Sequence, residues 1–144
     1  MIAVDTQLLV YAHRGELPSH AAALRALRDL ASSGEPWAIP WPCVHEFLSI
    51  VTRRGIFDPP STLTDGFTAL DRWRHSPGLR FIGEGVDHYD QLRQILERGS
   101  AIGALVHDAR IAAICLSHGV QALWTVDRDF SRFPALKTHN PLVS

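Results

Sequence analysis

Cysteine is scarce in this chain. Cys43 and Cys115 are its two cysteines, far apart and in no CxxC pair. That excludes a disulfide framework and a cysteine zinc site, and leaves both thiols to pack as small apolar side chains. No apolar run approaches the roughly 20 residues that cross a bilayer. The opening MIAVD lacks the basic region and cleavage site of a secretory leader and reads as a first strand. A cytoplasmic protein without membrane contact is therefore expected. There is no repeat, linker or low-complexity segment, and no HExxH motif, since Glu46 is followed by Phe47, Leu48 and Ser49. Nor is there a strong charge of either sign, the formal net charge being −1. Lysine is nearly absent: Lys137 stands alone, so arginine carries the remaining positive charge.

What is present is globular. The 144 residues are 46% hydrophobic, with four Trp and six Phe, enough to bury the core of one domain spanning residues 1–144. Short apolar runs alternate with helical patterns. IAV (2–4), WAIP (37–40), LRFI (79–82) and ALWTV (122–126) read as strands, and ALKT (135–138) as a fifth at an edge. Between them, helices are predicted over TQLLVYAH, from about Pro18 to Ser33, from Pro42 to Arg54, and from Thr62 to His75. In the last of these, Leu63, Phe67, Leu70 and Trp73 form the stripe, while Gly66 weakens the helix. Asp87 is placed to cap a further helix with Leu92, Ile95 and Leu96 inward. Leu105 to His118 is the clearest helix, closed by Gly119. Such alternation implies an α/β fold, a central, mainly parallel sheet of four to five short strands flanked by helices.

Four acids fall where buried segments end or helices begin: Asp5 after MIAV, Glu46 in CVHEFL, Asp108 in LVHDARIAAI and Asp127 after LWTV. Each has a simple reading by itself. Asp5, or Thr6 beside it, caps a helix; Asp108 and Glu46 complement helix dipoles; Asp127 and Asp129 serve a turn. Together they need a counter-charge, because carboxylates near a core are costly unless paired. No matching set of buried cations is available, so a divalent metal is the simplest partner. Oxygen ligands suit magnesium, and manganese equally. Ligands of a parallel sheet bind beyond the carboxyl ends of its strands, where Asp5 and Asp127 both lie. Setting these four acids aside leaves eleven against fourteen cations, a surplus of three. Thirteen of the cations are Arg, suited to gripping phosphate.

The motifs resemble the PIN-domain family. D-T-x-L-L-V-Y-A at the start, H-E-F-L after the second strand, H-D-A on the long helix and W-T-x-D-R-D-F near the end carry the resemblance across essentially the whole chain. The ending D-F-x-R-F-P-x-L, followed by N-P-L, is most similar to the VapC toxin branch. The resemblance implies a magnesium- or manganese-dependent endoribonuclease, the toxin of a toxin–antitoxin pair, held by a VapB-like antitoxin and forming a homodimer. It puts Asp5, Glu46, Asp108 and Asp127 in the catalytic acidic site, with Asp129 as a further metal ligand. Thr125 and Thr6 support the site, and Arg128 is the best-placed arginine for RNA phosphate. Gln7 departs from the pattern, which commonly has Asn or Ser there. His45 and His107 each precede an acid; neighbours on a helix point about 100° apart, so they are expected outside the ligand sphere. Among the tryptophans, Trp37, Trp41, Trp73 and Trp124 are candidates to stack bases, with core packing the competing use for Trp73 and Trp124. Helices 18–33 and 62–75 offer apolar stripes suited to a partner helix. A different class remains, a receiver-like regulatory domain with an acidic metal pocket, which would need Lys137 close to the acids.

Overall fold

The computed structural model describes residues 1–143. Five strands form one parallel sheet in the order β3-β2-β1-β4-β5: β1 Ile2–Val4, β2 Trp37–Pro40, β3 Leu79–Ile82, β4 Ala122–Trp124 and β5 Thr138–His139. The helices between them are α1 Thr6–His13, α2 His20–Ser32, α3 Trp41–Val51, α4 Leu63–Arg74, α5 His88–Gly99 and α6 Leu105–Ser117. A short 3-10 helix, Arg128–Arg132, lies between β4 and β5. The α/β architecture read from the sequence is the one observed.

Because every strand runs the same way, all carboxyl ends reach one edge of the sheet. The chain winds outward from β1 to β2 and β3 in one direction, and β4 and β5 lie on the other side of β1. The strand order therefore reverses between β1 and β4, the crevice where α/β sheets place their ligands. Asp5 N–H donates to the Trp124 carbonyl at 2.9 Å, tying the two strand ends together there.

The sheet is covered on both faces. Ala3, Val4, Trp37, Ala38, Ile39 and Leu123 have no measurable exposure, the apolar-run signature of a doubly covered parallel sheet. Trp37 satisfies its buried indole N–H by donating to Ser76 Oγ at 3.0 Å, and Ser76 in turn donates to the Ala31 carbonyl at 2.9 Å. Cys43 and Cys115 are free and buried, as expected of small apolar packers.

Several boundaries and one helix face differ from the sequence reading. The fourth strand stops at Trp124, so Thr125 and Val126 belong to the loop that carries Asp127. The fifth strand is Thr138–His139 and not 135–138, because Leu136 turns inward and is buried. Asp87 makes no capping bond to α5; its Oδ1 accepts from Ser117 Oγ at 2.9 Å and so ties α5 to α6. Helix α4, opened by a reciprocal Thr62–Asp65 capping box, is rotated from the expected stripe. Gly66, Ala69 and Leu70 face inward, while Leu63 and Phe67 are exposed. A Cβ on Gly66 would lie 2.8 Å from Leu48 Cδ2, so this glycine permits the close α3–α4 approach. The α6 stop stands as read, with Gly119 at a φ of 66°.

Candidate active site

Asp5 is the residue after β1 and the N-cap of α1, where its Oδ1 accepts from Thr6 N at 2.9 Å. The same oxygen faces the buried Cys43 thiol at 3.6 Å, and Oδ2 accepts from Thr125 Oγ1 at 2.7 Å. Thr125 Oγ1 also accepts from Asp127 N at 3.0 Å, so one hydroxyl positions two acids. Asp127 Oδ1 accepts from Asp129 N at 2.8 Å, capping the 3-10 helix. Thr6 Oγ1 reaches Glu46 Oε2 at 3.4 Å from the first turn of α1. Asp108 comes from the first turn of α6.

Asp5, Thr6, Gln7, Glu46, Asp108 and Asp127 line one cavity of about 290 Å³, closed by Ile111 and Val126. Other hollows are larger, about 490 Å³, 410 Å³ and 400 Å³, but the first has mainly apolar walls, the second offsets Glu16 and Asp65 with Arg14 and Arg72, and the third has Asp29 as its one acid, with Arg25 beside it. Chemistry, not size, singles out the smaller one. Asp108, Asp127 and Asp129 bring one carboxylate oxygen each to within 4.8 Å of one another. Asp5 and Glu46 stand outside that trio but on the same cavity wall, whereas Asp129 reaches it from the exposed rim.

The electrostatics are those of crowded like charge. Asp5 titrates above the ordinary carboxylate range, chiefly because it is buried and less because of Asp127; its three hydrogen-bond donors oppose the rise. Glu46 is raised by desolvation and by Asp5. Asp108 is pushed to about 6 by desolvation, then by Asp127, Asp5, Asp129 and Glu46. Among the described residues none of the ion pairs involves these five acids. Arg128, between Asp127 and Asp129, is exposed and balances neither through an ion pair. Lys137 lies at the opposite end of the sheet, its carbonyl accepting from Leu123 N one residue before β5. That separates it from the acids and removes the support for the receiver-like alternative.

The donor set fits a hard divalent cation. It is all oxygen, and oxygens on opposite sides of a magnesium ion stand about 4.2 Å apart at its usual bond lengths. The trio's oxygens, all within 4.8 Å of one another, are near enough for one ion to gather after side-chain adjustment. His45 and His107 are exposed and belong to no such group. The Cys43 thiol was not foreseen beside Asp5. Its signal was positional: a small side chain in the first turn of α3, directly after the strand next to β1.

The chain matches the PIN domain model over residues 2–136. It is 34% identical to ribonuclease VapC43 of Mycobacterium tuberculosis over 143 residues, which is 99% of this chain and 96% of that protein. Identity to ribonuclease VapC25 of the same organism is 30% over 141 residues, 98% and 99% of the two chains. Among solved structures, VapBC2 from Rickettsia felis, bound to a promoter DNA fragment, superposes with a TM-score of 0.68 at 23% identity, covering 97% of this chain and 98% of that one. Mycobacterium tuberculosis VapC20, a sarcin-ricin loop cleaving toxin, gives 0.66 at 21% identity, with 91% and 93% covered. With its acids gathered at the β1–β4 crevice, and with relatives of this similarity along its length, the chain belongs to the PIN-domain family, in its VapC branch.

Proposed function

We propose that this protein is a metal-dependent endoribonuclease, the toxin of a toxin–antitoxin pair, with Asp5, Glu46, Asp108 and Asp127 as its catalytic acids and Asp129 as a further ligand. The observation that carries the reading is a cavity crowded with carboxylates in which, among the described residues, no lysine or arginine pairs with the acids. Relatives named ribonucleases at 30–34% identity support the reaction class.

Magnesium or manganese held by Asp108, Asp127 and Asp129, with Asp5 adjoining, would lower the pKa of a bound water and offset charge developing on the scissile phosphate. The chain supplies the positioning. Thr125 and the Thr6 N–H fix the Asp5 carboxylate, so its geometry requires no reorganisation. Glu46, oriented by Thr6 on the cavity wall, is the group to accept the proton of an attacking water. Arg128, exposed on the rim and in no ion pair among the described residues, contacts a neighbouring phosphate. The leaving group is a ribose oxygen of the cleaved strand, and no covalent enzyme intermediate is needed.

A VapB-like antitoxin as inhibitory partner, and a homodimer as the active form, complete the proposal. VapBC2 from Rickettsia felis and VapBC from Salmonella typhimurium share this fold. An arginine of such a partner entering the acidic cavity would pair with acids that meet no cation among the described residues. Among the described residues no helix is long and apolar enough to cross a membrane. The test is cleavage of total RNA with magnesium or manganese and with EDTA, using Asp5→Asn as control. Metal-dependent cleavage lost in the variant is expected. Equal cleavage in EDTA would overturn the mechanism.

A further inference from the structure

We infer that Cys43 is a positioning residue of the acidic cavity: its thiol holds Oδ1 of Asp5 back, so that Asp5 offers an ion one lone pair, on Oδ2. This rests on the metal-dependent reading above and adds the residue that sets which divalent ion the site prefers.

An ionised carboxylate has two oxygens and about four lone-pair positions, all of them acceptors. In Asp5 three are occupied: Oδ1 accepts from Thr6 N at 2.9 Å and faces Cys43 Sγ at 3.6 Å, and Oδ2 accepts from Thr125 Oγ1 at 2.7 Å. The remaining position is on Oδ2. Asp5 lines the acidic cavity whereas Cys43 and Thr125 do not, so both hold the carboxylate from outside it. Cys43 has no exposure, and its S–H turns to Asp5 with no solvent to compete.

The placement follows from the fold. Ile2 pairs with Trp37 and Ala3 with Ala38, so β1 and β2 run side by side, and the chain enters α3 directly after Pro40. Cys43 stands in the first turn of α3, three residues before Glu46. Residues three apart are neighbours on one side of a helix. One face of α3 thus brings a thiol against Asp5 and a carboxylate to the cavity wall. A thiol is a weak donor, but sulfur is a large atom, and against Oδ1 it limits how far the carboxylate can turn.

The consequence is a choice between ions. Magnesium and manganese take octahedral oxygen sets, and each carboxylate oxygen fills one corner. Calcium accepts about six to eight oxygens and binds carboxylates through one oxygen or both. An Asp5 confined to one lone pair suits the octahedral ions and denies calcium an added ligand. Without the thiol, the carboxylate can pivot on its bonds to Thr6 and Thr125 and bring both oxygens to the cavity.

The test is calorimetric titration of the protein with manganese and, separately, with calcium, at pH 7.5, which gives the ratio of the two affinities. Cys43→Ala should raise the calcium-to-manganese ratio about ten-fold, the low end for loss of a group that orients a metal ligand. Cys43→Ser keeps a donor and should stay close to the wild-type ratio. Cys115→Ala removes the other buried thiol, which is not among the donors to Asp5, and should leave the ratio unchanged. In cleavage at saturating manganese, Cys43→Ala should lower kcat more than it raises KM, because the thiol touches no substrate. Should Cys43→Ala fail to fold by circular dichroism, Cys43→Val, which also cannot donate, takes its place with the same expected rise. A wild-type ratio in the variant without a donor overturns the inference and leaves the ribonuclease standing. An equal rise in Cys43→Ala, Cys43→Ser and Cys115→Ala overturns it too, and makes the effect one of core packing. A wild type that binds neither ion and cleaves no RNA with metal overturns the underlying reading, and the inference with it.

Discussion

Replacing Asp108 with asparagine should stabilise the ion-free protein while it removes activity. The Asp108 carboxyl is raised from 3.8 to about 6 by desolvation and four neighbouring acids. A rise of that size corresponds to about 3 kcal/mol of unfavourable charge at neutral pH. The side chain is only part-buried, and solvent screening reduces this to about 1 kcal/mol. The sign follows from linkage. With a folded value above the unfolded one, the penalty is complete above about pH 6, shrinks as pH falls from about 6 towards 3.8, and vanishes below. Asparagine is nearly the same size and cannot ionise. Urea denaturation in EDTA should therefore show Asp108→Asn more stable by about 1 kcal/mol at pH 7.5, a shift of about 3 °C in Tm. The gain should fall to about half near pH 5 and disappear by pH 4. Saturating manganese should narrow the difference by stabilising only the wild type. An asparagine variant less stable at pH 7.5 in EDTA, or a gain independent of pH, would refute the reasoning.

Other outcomes follow from the same geometry. Asp5→Asn keeps the helix cap and the fold by circular dichroism but should abolish RNA cleavage, since it removes the charge that Thr125 and Thr6 position. Thr125→Val deprives both Asp5 and the Asp127 N–H of their shared hydroxyl; a loss of about 1–3 kcal/mol in denaturant unfolding is expected, together with reduced activity. Apparent manganese affinity should weaken as pH drops below about 6, where Asp108 takes up a proton that the ion must displace, as read by calorimetry at pH 7.5 and 5.5. Ser61→Ala, outside the acidic cavity, removes the hydroxyl that bonds with His13 Nε2 at 2.8 Å and accepts from Arg14 Nη1 at 3.1 Å, and should cost about 1 kcal/mol without affecting cleavage.

How much was legible depends on what fixes each feature. Asp5 and Asp127 could be brought together on paper because a parallel sheet delivers every strand end to one edge, whatever the loops do. The trio of Asp108, Asp127 and Asp129 needed more, since the reach of α6 depends on helix packing that no periodicity encodes. The α4 stripe was misjudged for a related reason. Leu63, Phe67 and Leu70 make a plausible apolar face, yet the face that packs is the one whose Gly66 admits Leu48 at close range. Apolar pattern counts side chains and is blind to how near two backbones must come. The limits of β4 match its ladder to β1 and those of β5 its ladder to β4, long-range properties, whereas propensity ran β4 past its end and β5 ahead of its start. Asp87 was a sound cap on local rules, but Ser117 from α6 claims its carboxylate. Of the four tryptophans Trp41 is the one left exposed, at 43%, its ring stacked on Phe81 of β3 at 4.8 Å, and the sequence around it carries no trace of that neighbour.

The central claim is that separate segments of the chain gather carboxylates for a divalent ion, and manganese titration of the purified protein by calorimetry at pH 7.5 tests it most directly. Saturable binding by the wild type is expected, abolished or weakened at least ten-fold in Asp108→Asn and Asp127→Asn. A wild type that takes up no manganese at millimolar concentration, or variants that bind it as the wild type does, would contradict the account.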